Sequence, residues 1–276
     1  MKRILIVNGE NYWHDILNEF EVSRIKIQES SWLKKDGILY VADKEKVVQP
    51  DGILWRIGAI RPAEIQTTAL NLIELSETPC VNPASTLKIG YDRLGMLARI
   101  KKHKLPCIKF NVASNSNHLK NIEIEYPFVV KVGNYHGGFG KALIENDKKW
   151  QDVKDILFTS STYITIEPYI PYARDIRYIG IRDQIWAMSR KGKYWKANIQ
   201  TTSYEQIEPE KEIIAGFKEL QKDIGADLLA IDILEEKNGD VHIVEYNDIP
   251  GLSGFTDDLK YELANVLREK IAKTTE

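Results

Sequence analysis

The sequence predicts an α/β protein that contains both a parallel and an antiparallel sheet. In residues 1–85, short apolar runs alternate with helical stretches, a pattern typical of a parallel sheet. Farther along, apolar strands follow one another with only a turn between them, which indicates antiparallel pairs. With 276 residues and 43% hydrophobic content, the chain can bury a large core in one elaborate domain or in two to three small ones.

Charge and hydropathy exclude several classes of partner. The formal net charge is −2, so we expect no binding to nucleic acid or to an anionic membrane. The N-terminus has too few apolar residues for a signal-peptide core and no later run reaches the length of a membrane span, which makes the cytoplasm the expected compartment. Cys80 and Cys107 lack metal-ligand spacing and are expected to be buried thiols. The oligomeric state is open, with a homodimer as one option.

The N-terminal elements are predicted from apolar periodicity. Strands are expected at "RILIV" and "DGILWRI", and a helix at "PAEIQTTALNLIELSE" with Pro62 in its first turn. The inward stripe of this helix is predicted to be Ile65, Ala69, Leu72 and Leu75. After "PCVNP", a second helical stretch, "STLKIGYDRLGMLARIKKHK", is expected to run from Ala84 and to end before Pro106.

Strands dominate the rest of the chain. "PCIKF", "YPFVVKVG" and "TYITIEPYI" are predicted strands, and "DIRYIGI" and "QIWAMSR" are predicted to pair across a turn at Arg182-Asp183. The helix "EKEIIAGFKELQKDIGA" should bury Ile213, Phe217, Leu220 and Ile224 and stop at Gly225, and "TDDLKYELANVLREKIA" should close the chain as a helix. We expect three lobes, residues 1–85, 86–161 and 162–276, around a cleft.

The hairpin "IDILEEKNGDVHIVEYNDIPG" carries an acid in each of its two strands. Asn238-Gly239 flanked by apolar alternation predicts a two-residue turn. Counting outward from that turn pairs Lys237 with Asp240, Leu234 with Ile243, and Asp232 with Glu245. Two carboxylates about 5 Å apart repel by about 3 kcal/mol at an effective dielectric of about 20. A positive charge must therefore lie between them, or one acid must be protonated.

A metal ion is the favoured source of that charge. Asn247 lies two residues beyond Glu245 on the same strand face, so its amide oxygen joins those of Asp232 and Glu245. Oxygen ligands without His or Cys suit Mg²⁺ or Mn²⁺, which usually complete their shell with water and phosphate. The alternatives are a shared proton or a register slipped by one residue, which would part the acids.

A glycine-rich loop follows a strand that carries a lysine. In "FVVKVGNYHGGFGK", Lys131 precedes a loop with glycines at 133, 137, 138 and 140. Glycines let backbone N–H groups approach phosphate, and a strand lysine can neutralise phosphate charge. The spacing matches neither a P-loop nor a Rossmann fingerprint, and an ordinary flexible turn is the alternative.

Two further segments add polar side chains. In "IEPYIPYARDIRYIG", Asp175 and Arg177 share one strand face and Glu167 lies at the end of another strand, where the linker can meet an adenine edge. Ordinary ion pairing on an exposed strand is the alternative. In "RKGKYWKANIQTT", Lys196 and Asn198 share a face beyond a predicted turn at Gly192, although such a tip is often plain surface.

Taken together, these segments resemble the ATP-grasp superfamily. "EPYIPYARDIR" is similar to a stretch of the synapsin ATP-binding domain. "YWKAN" is similar to the sequence Trp-Lys-Thr-Asn of the same domain. "AIDIL" and "VEYNDIPGL" resemble the RimK-like branch of ribosomal-protein glutamate ligases. The resemblance covers about residues 82–254 and is only architectural before that. It implies an ATP-grasp fold with a Rossmann-like N-terminal lobe, a central lid lobe and a C-terminal lobe built on an antiparallel sheet.

The resemblance also implies residue roles. Lys131 would hold the α- and β-phosphates, and the loop with Gly137, Gly138 and Gly140 would close over them as a lid. The residues implied at the adenine slot are Glu167, Pro168, Tyr169 and Ile170. Asp175 would approach the ribose, and Arg177, Lys196 and Asn198 would contact the γ-phosphate or an acyl phosphate. The residues implied for one or two magnesium ions are Asp232, Glu245 and Asn247.

Some positions are less clear. Arg93 stands where the family usually has lysine, so an α-phosphate contact there depends on a different geometry. Arg190, Arg56 and Arg61 could each bind a substrate carboxylate or lie on the surface. His136 in the glycine loop could touch substrate or simply fill a loop position, and the second is favoured.

The implied activity is ATP-dependent ligation of a carboxylate to an amine through an acyl phosphate. The carboxylate and the amine would come from an amino acid or a peptide. Two alternatives stay open: a non-catalytic, synapsin-like module that binds ATP for regulation, and an ATP-grasp kinase that transfers phosphate to a hydroxyl or phosphate acceptor.

Overall fold

The protein is described by a computed structural model. It describes residues 1–44, 46–58, 63–160, 163–192, 195–196 and 201–274, without the side chains of residues 116, 120, 121, 158 and 160. Arg61, Pro62 and Asn198, which carried predictions, lie outside the described residues. Within these ranges, no helix has the length and apolar character needed to cross a membrane.

The N-terminal part is built on a parallel sheet. Its elements are β1 (Arg3–Val7), α1 (Trp13–Ile16), β2 (Glu21–Ile25), β3 (Ser31–Lys35), β4 (Ile38–Ala42), β5 (Val47–Val48), β6 (Gly52–Trp55), α2 (Glu64–Leu75) and β7 (Cys80–Val81). Strands β2, β1, β6 and β7 form the four-stranded parallel sheet in that order, which confirms the predicted arrangement. Strands β3, β4 and β5 form a separate antiparallel sheet that was not predicted.

Helix α2 packs on this sheet with a face that differs from the predicted one. Its buried residues are Gln66, Ala69, Leu70 and Ile73. Leu75, which was predicted to point inward, is 65% exposed, so the predicted stripe is wrong there. The side chain of Gln66 accepts a hydrogen bond from the Ala63 N–H at 3.0 Å, which gives a buried role to a residue that hydropathy assigns to solvent.

The middle of the chain forms a small antiparallel sheet with helices beside it. Its elements are α3 (Ala84–Ile89), α4 (Arg93–Lys102), β8 (Asn111–Ala113), β9 (Phe128–Val132), β10 (Lys141–Ile144), α5 (Asp147–Ser160) and β11 (Ile164–Pro168). The sheet order is β10-β9-β11-β8. Three predictions are corrected by these elements.

The helix predicted from Ala84 is in fact two helices, because the chain turns between Gly90 and Asp92 and Asp92 has extended backbone angles. The predicted strand "PCIKF" contributes only an isolated bridge from Cys107 to Ile243. Cys107 is also only half-buried, whereas Cys80 is buried as expected.

The C-terminal part is built on a larger antiparallel sheet. Its elements are β12 (Arg174–Ile181), β13 (Gln184–Gly192), β14 (Thr201–Ile207), α6 (Lys211–Asp223), β15 (Leu228–Glu235), β16 (Val241–Asn247) and α7 (Asp257–Lys273). The five strands lie in the order β14-β13-β12-β15-β16. The turn at Arg182-Asp183 and the end of α6 at Gly225, where φ is 65°, are confirmed. Gly192 still pairs with Thr201, so the turn predicted at Gly192 is wrong.

The β15–β16 hairpin reaches the predicted pairing of its acids by a different route. Leu234 lies opposite His242 and Ile233 opposite Ile243, so the predicted two-residue turn and the Leu234–Ile243 pair are wrong. The turn instead has Glu236 N–H bonded to the Asp240 carbonyl, one residue wider. A bulge after Ile233 restores the register, and Asp232 lies opposite Glu245 as predicted.

Contacts between the N-terminal and C-terminal parts fix the end of this hairpin. The Asn82 amide nitrogen donates to the carbonyls of Leu228 and Asp248, each at 2.7 Å, and its amide oxygen accepts from the Leu228 N–H at 2.7 Å. Helix α7 packs on the parallel sheet, where Ile271 lies against Gly52. The lobe boundaries at residues 85 and 161 stay predictions.

Candidate active site

A cavity opens between the small and the large antiparallel sheets and is lined by both apolar and charged residues. Its apolar and aromatic lining residues are Ile108, Val129, Pro168, Tyr169, Ile170, Tyr172, Trp195, Leu234 and Val244. The charged residues that line it are Lys131, Lys141, Glu167, Asp175, Arg190, Lys196, Asp232 and Glu245. We call this the first cavity. Most of the residues predicted from sequence to bind ATP therefore line one space.

Lys131 and Glu167 form a buried ion pair at the base of this cavity. They lie on the neighbouring strands β9 and β11, and Lys131 Nζ is 2.5 Å from Glu167 Oε2. Burial lowers the pKa of Lys131, although Glu167 opposes that shift. The second oxygen of Glu167, Oε1, has no hydrogen-bond partner among the described residues. A bound phosphate that attracts Lys131 must therefore compete with the carboxylate of Glu167.

Two arginines and two aspartates form a network, and three of the four, Asp175, Arg190 and Asp232, line the cavity. Arg177 donates two hydrogen bonds to Asp232, from Nε at 2.7 Å and from Nη2 at 2.8 Å. Arg190 Nη2 contacts Asp175 and lies 3.1 Å from Asp232. Burial raises the pKa of Asp232, but the two arginines outweigh burial and the net shift is downward. Asp232 is therefore ionised at neutral pH.

Glu245, opposite Asp232, is balanced by different cations. Its Oε2 lies 3.3 Å from Lys141 Nζ and 3.7 Å from Arg93 Nη1. Burial acts to raise the pKa of Glu245, but Lys141 and Arg93 hold it well below its usual range. The charge between the two acids is thus supplied by basic side chains, and the pairing of Asp232 with Glu245 rules out the slipped register.

Two basic side chains from other parts of the chain donate hydrogen bonds to carbonyls of the glycine loop and its end. Arg93, the first residue of α4, donates to the carbonyls of Gly133 at 3.2 Å and Tyr135 at 2.6 Å. Lys196 donates to the carbonyls of Gly138 and Lys141, each at 3.0 Å. Both residues were predicted to touch phosphate, and in this structure they hold the loop that would cover it.

Glycine is required at the end of this loop. Gly140 has a φ of 62°, and a Cβ there would lie 2.9 Å from the Cβ of Tyr135. Both the left-handed backbone and the close approach favour glycine.

The sequence left open whether Arg190 and Arg56 bind substrate or lie on the surface, and both are buried. Arg190 is 4% exposed and Arg56 is 8% exposed, so the surface assignment is wrong for both. Arg56 Nη2 donates to the Pro250 carbonyl at 2.8 Å and so joins the end of β6 to the segment after β16.

Sequence reasoning missed Lys141. It lies directly after Gly140 at the start of β10, and its contact with Glu245 is 104 residues away in sequence. A basic residue next to the glycine loop was the available signal.

A second cavity is lined by residues that are close in sequence to those of the first. Its wall consists of Gly58, Gly90, Tyr91, His136, Gly137, Asn247, Asp248 and Ile249. Asn247 lines this second cavity, whereas the two acids line the first, and its amide oxygen accepts the Ile249 N–H at 3.0 Å. His136, in the glycine loop, lines this cavity as well. Burial raises the pKa of Asp248 to about 7.

The oxygen donors of the hairpin are of the kind that a hard divalent cation prefers, but in this structure Arg177 and Arg190 pair with Asp232, and Lys141 and Arg93 pair with Glu245. The described part of the chain holds no group of three or more His, Cys, Asp or Glu side chains suited to a metal. The candidate ligands are instead the carboxylates of Asp232 and Glu245, both ionised, with the Asn247 amide next along the strand. Two carboxylates and further oxygens from water and phosphate are the usual surroundings of Mg²⁺.

Comparisons with known proteins place this geometry in context. The family model described as "Synapsin, ATP binding domain" matches residues 88–271. A probable alpha-L-glutamate ligase from Vibrio atlanticus is 25% identical over 239 residues, which cover 83% of this chain and 78% of that protein.

Two solved structures share the fold over nearly the whole chain. The Chryseobacterium gregarium RiPP-associated ATP-grasp ligase, in complex with ADP and a leader and core peptide, has a TM-score of 0.72 and 16% identity, covering 98% of this chain and 97% of that one. D-alanyl-alanine synthetase A from Vibrio cholerae has a TM-score of 0.75 and 12% identity, covering 99% and 98%. The predicted ATP-grasp fold is confirmed by these likenesses.

Proposed function

The chain belongs to the synapsin ATP-binding-domain family, and from this premise we propose that it is an ATP-dependent ligase that joins a carboxylate to an amine. The observation that carries the proposal is the first cavity. Its lining combines apolar residues, the acids Asp232 and Glu245, and basic side chains that include Arg190 and Lys141, which pair with those acids. The names of similar proteins support ligation, because they include a probable glutamate ligase and an ATP-grasp ligase bound to ADP and peptides.

ATP would lie along the first cavity. Its adenine fits the apolar lining beside Tyr169 and Ile170, and its phosphates reach toward Lys131 and Lys141. Arg93 and Lys196 would keep the glycine loop closed over the phosphates through the carbonyls that they already bind. A closed loop would exclude water from a reactive acyl phosphate.

Phosphoryl transfer requires positioning and charge neutralisation rather than a nucleophilic side chain. No serine, cysteine or histidine is found among the described residues that line the first cavity. In the first step, an oxygen of the substrate carboxylate attacks the γ-phosphorus, the bond to ADP breaks, and an acyl phosphate forms. Arg177 and Arg190 lie where they can stabilise the transferred negative charge once they exchange Asp232 for phosphate.

In the second step, the amine nitrogen attacks the acyl carbon, inorganic phosphate leaves with its electron pair, and the nitrogen loses a proton to give the amide. Asp232 and Glu245, with Asn247, would hold Mg²⁺, and Mn²⁺ suits the same oxygens. When bound, the metal would neutralise phosphate charge during transfer. The substrates proposed are an amino acid or peptide carboxylate and an amino acid or peptide amine.

The test is ADP release from the full chain with ATP and Mg²⁺. A panel of amino acids and peptides is supplied singly and in pairs, together with hydroxyl compounds. We expect release only when a carboxylate and an amine are both present, and we expect loss of release with excess chelator.

The variant Asp232→Asn with Glu245→Gln should abolish release, since both carboxylates that face the cavity are removed. Asp240→Asn is the matched control, because its carboxylate is exposed at the tip of the same hairpin. Release with a lone hydroxyl acceptor would indicate a kinase instead. Tight ATP binding without turnover in any pair would indicate a regulatory module.

A further inference from the structure

A surface groove lies in the middle part of the chain. Its lining comes from three segments: the short 3₁₀ helix Ser116–Asn121, residues 122–126 and helix α5. We call it the docking groove, and its apolar and aromatic lining residues are Leu119, Ile122, Ile124, Tyr126 and Trp150. Its volume is about 460 Å³, which lies within the range of about 300–1,000 Å³ that is usual for sites that hold a ligand.

The small antiparallel sheet separates the docking groove from the first cavity. Phe128 and Val130 of β9 pack in one apolar cluster with Trp150, and the rings of Phe128 and Trp150 lie 5.4 Å apart. Val129 and Lys131, which alternate with them on the same strand, line the first cavity. Because successive side chains of a strand point to opposite faces, a molecule in the docking groove lies across the sheet from the nucleotide.

Apolar side chains of the docking groove remain in contact with solvent. Leu119 and Trp150 are nearly buried, Ile122 and Ile124 are half-buried, and Tyr126 is 39% exposed. Apolar surface gathered in a concave site gains free energy when the apolar side chains of a partner displace its water.

Residues 122–126 have the properties of a strand without a neighbour. Ile122 has extended backbone angles, with φ −108° and ψ 113°. Ile122 and Ile124 line the groove, whereas Glu123 and Glu125 between and after them are exposed, which is the alternation of an extended chain. From residue 123 to residue 125, no backbone N–H or carbonyl is bonded to any residue that the structure describes. Such free backbone groups are what an added strand pairs with.

The charge around the docking groove is mainly negative. Asp147 and Asp155 line it, and Glu123 and Glu125 are exposed beside it. None of these four carboxylates forms an ion pair within the described ranges. Lys154 also lines the groove, but its amine donates to a side-chain amide on the same helix. This excess of negative charge favours a basic partner.

We propose that the docking groove binds a partner polypeptide whose apolar and basic side chains alternate, and that this polypeptide adds as an extended strand along residues 122–126. Side chains directly opposite one another on paired strands lie on the same face. Partner residues opposite Ile122 and Ile124 are therefore apolar and enter the groove, and those opposite Glu123 and Glu125 are basic. This interaction goes beyond ligation, because no group of the first cavity takes part in it.

A peptide binding experiment tests the proposal. The probe is a fluorescently labelled peptide, Lys-Val-Lys-Val-Lys-Val-Lys, and its anisotropy is followed as the full chain is added without ATP. One comparison peptide, Lys-Lys-Val-Val-Val-Lys-Lys, has the same composition and charge without the alternation. Another keeps the alternating side chains but carries N-methyl groups along its backbone, so it cannot pair as a strand. We expect the alternating peptide to bind about tenfold more tightly than either comparison peptide.

Two variants of α5 locate the binding site. Gln151 is exposed and lines the docking groove, so Gln151→Trp should fill the groove and weaken binding about tenfold or more. Ile156→Trp is the matched control, because Ile156 is 65% exposed on the same helix and is not among the residues that line the groove. Both substitutions leave the charge unchanged. Thermal unfolding followed by circular dichroism should show both variants folded at the temperature of the titration.

A third variant tests the role of charge. Glu123→Gln with Glu125→Gln removes two exposed carboxylates and no apolar side chain. We expect binding of the alternating peptide to weaken about fivefold at low salt, and the difference from the native protein to shrink as salt is added.

Three outcomes would overturn the proposal. Equal affinities for the alternating and the block-ordered peptide, or equal effects of Gln151→Trp and Ile156→Trp, would leave only unspecific attraction to an acidic surface. Absence of binding at about 1 mM alternating peptide would remove the site altogether. Self-association of the native protein in sedimentation, abolished by Gln151→Trp but not by Ile156→Trp, would make the groove an interface between copies of this chain instead.

Discussion

Asn82 offers a direct test of how the two ends of the chain hold the site together. Its amide is 2% exposed and makes three hydrogen bonds of 2.7 Å, two to Leu228 and one to the Asp248 carbonyl. Asn82→Ala removes one acceptor and two donors at once. Each buried backbone group left unpaired costs about 1–3 kcal/mol, so the substitution should lower the free energy of unfolding by about 3 kcal/mol or more.

The position of Asn82 in the fold links this loss of stability to function as well. Leu228 begins β15 and Asp248 follows β16, so Asn82 fixes both outer ends of the hairpin that carries Asp232 and Glu245. A loss of about 3 kcal/mol is a large fraction of the 5–15 kcal/mol that typically separates folded from unfolded states. We therefore expect lower activity at temperatures where the native protein is still fully folded.

The assay is urea unfolding at 25 °C, followed by circular dichroism and tryptophan fluorescence. Asn82→Asp is a second variant: it keeps the acceptor for the Leu228 N–H but sets an acid against two carbonyls, so its loss should be at least as large. Asn71→Ala is the matched control, because Asn71 is exposed on α2 and bonds only to the exposed Lys88 in the described structure. A loss for Asn82→Ala below about 1 kcal/mol, or equal to that of Asn71→Ala, would refute the reasoning.

Two further predictions concern buried charges. Lys131→Met should lower the free energy of unfolding, measured with urea, by about 3–5 kcal/mol, because it leaves Glu167 buried without its cation. The double variant Lys131→Met with Glu167→Gln should recover much of that free energy. A double variant that is no more stable than Lys131→Met would contradict the expected effect of leaving Glu167 without its cation. Glu245→Gln, with chelator present, should be less stable than the native protein at pH 7.5, and the difference should shrink as the pH falls below 4.5. The folded protein holds the pKa of Glu245 below the ordinary value of 4.5, so its contribution is present above 4.5 and is lost on acidification. A difference that stays constant or grows in urea unfolding at pH 4 would contradict this.

Much of the fold was predictable because local pattern decides it. Apolar alternation located β12, β13 and their turn, and the Asn-Gly signal located the hairpin of β15 and β16. The glycine loop after Lys131 was visible for the same reason, since loop glycines and strand lysines are local features. Patterns failed where a polar residue took a buried role, as Gln66 does in α2, or where a bulge reset the register between Asp232 and Ile233.

By itself, the sequence determined which chemical groups are present and which strand or loop carries each of them. Periodicity and turn chemistry act over a few residues, and that range is enough to set Asp232 and Glu245 on neighbouring strands of one hairpin, whereas their direct pairing also depends on the bulge between Asp232 and Ile233. Only the tertiary structure decided which cations reach these acids: Lys141 and Arg93 at Glu245, Arg177 and Arg190 at Asp232. It also decided that Tyr91, His136 and Asp248 share one cavity. Such contacts join segments that are far apart in the chain, and they arise from the packing of whole sheets and helices, which no local pattern encodes.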